Sequence, residues 1–301
     1  MNYVTLHLLK DFLEQNPSIK PTSNSKFNTD STQNDIEYIF EMVRRSSYVS
    51  QNPDYKNKAT RTTIVLNKAD TVNAYAQTLS KDSHRITILS GLINACALMS
   101  AGIAQFRIDK DLDQLIKICN WIGTHASSSG KFSRKLIWEG VERFNYDVNG
   151  IVGIEANSYL VGSILSVTGH ELGHICLSHT IRGDYSNEVS RNDERQADLF
   201  AHSVVSTTPF ASYTVLGTLF TEIIFAWMAK GHTGPATTHP HSTERVYNTI
   251  NSHEEVLTSL GITRENIDEF LPSKHPGDYT DDDGDDENDE CDDECAEDID
   301  E

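Results

Sequence analysis

The stretch Ser163-Ile-Leu-Ser-Val-Thr-Gly-His-Glu-Leu-Gly-His-Ile-Cys-Leu-Ser-His179 decides the reading of this chain. Its apolar spacing predicts a helix with His170-Glu-Leu-Gly-His174 inside it. On an α-helix His170 and His174 stand one turn plus about 40° apart, so both imidazoles leave the same face. Two neutral imidazoles held there can ligate one Zn²⁺. Glu171 lies about 100° round the helix from His170. Its carboxylate is then placed to take a proton from a zinc-bound water. The H-E-x-x-H spacing therefore encodes two ligands and a general base within five residues. Such a pentapeptide also arises by chance on ordinary helices, and residues further along the chain distinguish the two cases.

A second helical segment carries Asn192-Asp-Glu-Arg-Gln-Ala-Asp-Leu-Phe-Ala201. A catalytic zinc wants three protein ligands and one open position. Glu194 comes twenty residues after His174, room for a turn and an antiparallel return. It is the candidate third ligand. Asp198, one helical turn on, shares that face and can accept the N–H of a ligating histidine, fixing its tautomer. Alone, the Glu-x-x-x-Asp spacing would read as a solvated helix face; after H-E-x-x-H it reads as the rest of a metal site.

These two motifs, with two others, resemble the gluzincin metallopeptidases of the CAAX prenyl protease and HtpX-like group. Val72-Asn-Ala-Tyr-Ala76, followed by Arg85-Ile-Thr-Ile-Leu-Ser-Gly-Leu-Ile93, is similar to that group's upstream edge-strand and helix region. Thr238-His-Pro-His-Ser-Thr-Glu-Arg-Val246 is similar to its T-H-P-x-x-x-E-R segment. The resemblance spans roughly residues 64 to 250. It implies an α+β, mostly α-helical fold, a zincin-like core with a small antiparallel sheet edging the cleft. It implies one Zn²⁺ per chain and endopeptidase activity on a protein or peptide substrate.

By the same resemblance an early strand with Asn73, Ala74 and Tyr75 lines the cleft, where an extended peptide can add by main-chain hydrogen bonds. The plainer reading makes Asn73 a turn residue and Tyr75 a packing aromatic. His239 matches a histidine that stabilises the oxyanion in relatives or, in some, caps the zinc and blocks it. Arg245 either supports Asp198 or binds the substrate backbone through its planar fork. His232 and His241 read as loop residues. His179, about 140° round the helix from His174, reads as structural. A competing reading keeps the metal but not the hydrolysis: a zinc-stabilised, self-blocked protease homologue serving as a binding or chaperone-like module, closed by the 232–246 loop.

The resemblance implies a metallopeptidase domain over 61–255, which leaves an N-terminal helical extension (1–60), a helix or linker (256–276) and, by composition, an acidic tail (277–301). Residues 14–35 read as a loop rich in Asn, Ser, Thr and Pro. Helices are predicted over Ile36–Tyr48, Asp111–Ile122 and Arg134–Phe144, strands over Thr62–Leu66 and Arg85–Leu89. A flexible connection is expected at Ser127–Gly130 and a Gly-rich turn region up to Gly162. Gly183 is a candidate C-cap of the first metal helix and Ser186 or Asn187 an N-cap of the second.

Of the net charge of −20, sixteen negative charges fall in Gly277–Glu301, leaving about −4 for the rest. Such a block repels itself and forms no core. It suits a basic partner or divalent cations, and an acidic chain is a poor fit to nucleic acid. The N-terminus lacks a signal-peptide pattern. No uncharged apolar run reaches the roughly 18 residues of a membrane span, so none is expected. Five cysteines, an odd number without paired spacing in the body, point to reduced thiols and a cytoplasmic setting. Cys176 reads as core.

Overall fold

The computed structural model describes residues 31–146, 151–181, 186–208, 211–229 and 242–271. Helices α1 (Ser31–Arg45), α2 (Ser47–Gln51) and α3 (Pro53–Thr60) precede strands β1 (Thr62–Asn67), β2 (Ala74–Ser80) and β3 (Ser83–Leu89). Then come α4 (Ser90–Asp109), α5 (Leu112–Ser129), α6 (Arg134–Phe144) and α7 (Ile151–Cys176). A 3-10 turn (His179–Ile181) leads to α8 (Asn187–Ser206), α9 (Ala211–Ala229), α10 (Ser242–Ser252), α11 (Glu254–Ser259) and α12 (Arg264–Ile267). The chain is mostly helical with one small sheet, as expected.

Local chemistry accounts for several boundaries. Pro53 opens α3, and the Asn52 side chain accepts from the N–H groups of Asp54 and Tyr55; both are favoured helix-start devices. Ser186 caps α8 by accepting from Val189 N–H. Gly130, at φ 64°, closes α5 in the left-handed region, where a glycine is unstrained.

α7 is the hub. It packs against α4, α8 and α9, and touches α1, α3, β2 and β3. Tyr159, Val161, Ile164, Leu165, Leu172 and Ile175 are all buried. A helix apolar around its whole girth is stable only when enclosed. Two glycines let neighbours close on it. A Cβ on Gly217 of α9 would come within 2.4 Å of Ser163 N. A Cβ on Gly173 would meet Phe200 Cβ at 3.1 Å and Ala197 Cα at 3.2 Å, both on α8.

The sheet order is β1-β3-β2. β2 pairs antiparallel with β3, but β1 pairs parallel with it. The expected purely antiparallel sheet is therefore corrected to a mixed one. The chain passes β1's neighbour position, forms β2 at the far side, and returns through a tight turn. β2 is an edge strand that pairs only with β3 among the described residues.

Other expectations shift as well. α1 starts at Ser31, inside the stretch read as a loop. α5 runs through Ser127 and Ser129, whose hydroxyls donate to carbonyls of their own helix. α7 begins at Ile151, not after Gly162: Gly162 serves helix packing, since a Cβ there would lie 2.5 Å from Tyr213 O. α7 ends at Cys176, where Lys58 Nζ donates to the Cys176 carbonyl at 2.7 Å and to Ser178 Oγ at 2.9 Å. The proposed C-cap Gly183 lies outside the described residues.

The expectation that no segment is long and apolar enough to cross a membrane is corrected. By length and composition Ser90–Asp109, Ile151–Cys176 and Ser212–Ala229 all qualify. They are apolar on average despite charges such as Glu155 and Glu222, which a search for uncharged runs rejects. In this fold 67%, 76% and 72% of their apolar windows are buried against other elements, so those faces form the core.

Candidate metal centre

α7 and α8 bring the two motifs together. His170 and His174 leave the same face of α7, with their Nε2 atoms 3.1 Å apart. Glu194, on α8, straddles them: one carboxylate oxygen is 3.3 Å from His170 Nε2 and the other 3.3 Å from His174 Nε2. These three residues could hold a metal ion. A tetrahedral ion with bonds of about 2.0–2.1 Å separates its ligand atoms by about 3.3 Å. Each contact is near that value, the two to Glu194 being made by different oxygens, and with one donor atom per residue the set lies within 4.8 Å, a spread compatible with a metal ion. Gly173 lies on the helix–helix contact one residue before His174, so the absence of a side chain there sets how closely α8 brings Glu194.

The nitrogens turned away from this point are also engaged. His170 Nδ1 donates to Asp198 Oδ1 at 2.8 Å. The Asp198 carboxylate accepts two further bonds from Arg245, from Nε at 2.9 Å and from a terminal nitrogen at 2.7 Å. Arg245 thus contacts Asp198, as one of the two roles open to it requires. A second pair, Arg195 with Glu244, joins the same helices at 2.7 Å. Being exposed, it contributes little to stability. His174 Nδ1 faces His179 Nδ1 at 3.1 Å.

Charge follows this geometry. Burial would lower the His170 pKa, but the Asp198 and Glu194 carboxylates outweigh it and raise it to about 10. The field at this point thus favours positive charge. Burial pushes the Asp198 carboxyl upward; Arg245 and His170 overcome it and hold the group below the usual carboxylate range. Arg245, desolvated by burial, is kept charged by Asp198 and Glu222. Glu171 is buried beside the three candidate ligands, and desolvation raises its pKa.

The group opens onto a cavity of about 790 Å³. Its wall includes Asn73, Ala74 and Tyr75 from the edge-strand region, Glu171, and Thr218 and Glu222 from α9. The three residues named for substrate contact thus face the same space as the candidate ligands. Asn73 also holds the strand entry: its backbone carbonyl accepts from Leu89 N–H at 3.1 Å. His232, His239 and His241 lie outside the described residues, as does the acidic tail.

Sequence reasoning missed a buried polar cluster that reaches the cavity wall through His202 and Glu222. Thr249 Oγ1 donates to Glu222 Oε2 at 2.7 Å, and His202 Nδ1 lies 3.2 Å from His253 Nε2. Desolvation lowers the His202 pKa to about 4 and raises that of Glu222. The signals existed: Glu194, Asp198 and His202 recur every fourth residue on one helix face, and Glu222 is a lone carboxylate in an apolar helix.

No curated protein and no solved structure matches the chain. Residues 133–259 match the model of the family Peptidase U49. That stretch is similar to a peptidase family, a proteolytic signature, and it contains both candidate histidine ligands, Glu194, Asp198 and Arg245.

Proposed function

We propose that this chain is a zinc-dependent endopeptidase of the gluzincin type, of the kind seen in the CAAX prenyl protease and HtpX-like group. The observation that carries this reading is the convergence of His170, His174 and Glu194, whose donor atoms lie within 4.8 Å of one another, at the wall of an open cavity. The similarity of residues 133–259 to a peptidase family supports it.

His170, His174 and Glu194 would hold the ion. When bound there, zinc supplies Lewis acidity toward a peptide carbonyl and lowers the pKa of a water. Glu171 accepts the proton of the attacking water and returns it to the leaving amine. Asp198, held by Arg245, keeps His170 in the tautomer with its proton on Nδ1 and its lone pair on Nε2. The edge strand around Asn73, Ala74 and Tyr75 offers main-chain groups to an extended peptide. His239 takes the oxyanion-stabilising role that the resemblance gives it.

The experiment is to compare the wild type with Glu171→Gln on casein while measuring bound zinc by elemental analysis. This reading expects equal zinc content and cleavage reduced at least about a hundredfold. Undiminished cleavage by the variant would refute it.

A further inference from the structure

The fold does something with His179 that metal binding alone does not require. Had α7 continued, His179 would point well away from His174. Instead α7 ends at Cys176, and Ser178 adopts φ 66°, a left-handed conformation uncommon for a residue with a side chain. The Lys58 ammonium holds this corner by bonding both Cys176 O and Ser178 Oγ. The chain doubles back, and His179, only 3% exposed, places Nδ1 3.1 Å from His174 Nδ1. On its other side, His179 Nε2 lies 3.3 Å from Gln196 Oε1 and 3.5 Å from Asp193 Oδ1, both on α8.

Hydrogen-bond polarity makes this chain of contacts directional. A carboxylate and an amide oxygen accept and do not donate. They therefore call for the proton of neutral His179 on Nε2, which leaves Nδ1 as an acceptor. An acceptor at that place calls for the proton of His174 on Nδ1, and so puts the His174 lone pair on Nε2. That is the nitrogen 3.3 Å from Glu194.

We infer that His179 is a positioning residue: backed by Asp193 and Gln196, it sets the tautomer and ring angle of His174, as Asp198 does for His170. This inference rests on the proposed metal site. It gives each histidine its own orienting partner, one anionic and one neutral. A neutral imidazole partner makes His174 a less electron-rich ligand than His170, because its Nδ1 proton faces a neutral acceptor instead of a carboxylate.

The test uses the full chain, Co²⁺ as the probe, and the variants His179→Leu and His179→Asn. Leucine removes the acceptor. Asparagine keeps an amide oxygen near the position of Nδ1. The His179→Leu variant is expected to bind Co²⁺ about ten- to a hundredfold more weakly and to shift the visible cobalt absorption. Asparagine should restore most of both, in variants whose metal-free forms are folded at the assay temperature. Equal affinity and spectrum for wild type and His179→Leu would overturn the role of His179. Equal impairment of the Leu and Asn variants would show a packing role and overturn it too. A wild-type chain that takes up no cobalt refutes the metal site itself, a different failure.

If His179→Leu does not fold, the wild type still decides the matter. Long-range ¹H–¹⁵N correlation spectra of the histidines should show His179 protonated on Nε2 alone. A proton on His179 Nδ1 contradicts the inference.

Discussion

The carboxylate of Asp198 stands 2.8 Å from Nδ1 of His170, while its two oxygens take a bidentate grip from Arg245. Three charged or ionisable groups from three helices are thus locked in one buried line that ends at the candidate metal site. Asp198→Asn keeps the shape and removes the charge. Metal affinity is expected to fall about 10- to 100-fold. Arg245 would be left buried without its hydrogen-bonded counter-charge, a loss of up to about 3–5 kcal/mol. Metal titration and chemical denaturation measure the two effects separately. Retained affinity and stability together would show that the Asp198 line is not what orients His170.

Gly173 decides how near α8 can come. In Gly173→Ala the new methyl meets Phe200 Cβ at 3.1 Å and Ala197 Cα at 3.2 Å, so the helices must part by a few tenths of an ångström. Overpacking of this kind costs about 1–3 kcal/mol. Because Glu194 rides on α8, the substitution should weaken metal binding as well as lower the melting temperature. Weakened stability with unchanged metal affinity would mean that the site relaxes independently of the helix contact.

His202 makes stability depend on pH. Its folded pKa is lowered to about 4 from an ordinary 6.5 by burial, with His253, Asp198, Arg245 and His170 as the charged or titratable neighbours that act on it. Glu222 reaches it through Thr249. The unfolded chain takes up a proton below pH 6.5 and the folded one does not until about pH 4. Stability is therefore full above pH 6.5 and declines between these values, by on the order of 3 kcal/mol from this group. Denaturation curves for wild type and His202→Gln, each normalised to pH 7.5, should diverge across that interval, with the variant flatter. Parallel curves would rule out the buried neutral histidine.

Lys58 finishes α7 from outside the helix. Lys58→Met keeps much of the side-chain stem and removes the donor to Cys176 O and Ser178 Oγ. A helix-end contact of this sort contributes about 1–2 kcal/mol. A lower melting temperature of the metal-free chain is expected, and an unchanged one would show that the left-handed corner at Ser178 holds by itself.

How much could be read from the residues depended on whether spacing within one element was sufficient. His170, Glu171 and His174 lie on one helix, as do Glu194 and Asp198, and helical arithmetic places them well. Arg245 was legible only as a choice of two roles, because its partner lies 47 residues away. His179 was legible as structural, but its contact with His174 was not, because that depends on where α7 stops. That is determined by Ser178 and by Lys58, about 120 residues distant. The sheet was legible as strands but not as a mixed sheet, since β1's partner is chosen by the route of the whole chain. The three long apolar helices escaped a search for uncharged runs because Arg107, Glu155, Glu171 and Glu222 interrupt them.

Every role proposed above depends on a metal held by two imidazoles and one carboxylate. X-ray absorption spectroscopy of the zinc-loaded full chain reads that ligand shell. One zinc per chain, two imidazole nitrogens, and oxygen donors at about 2.0–2.2 Å are expected. A sulfur shell at about 2.3 Å, or a wild-type chain that retains no zinc, would contradict it.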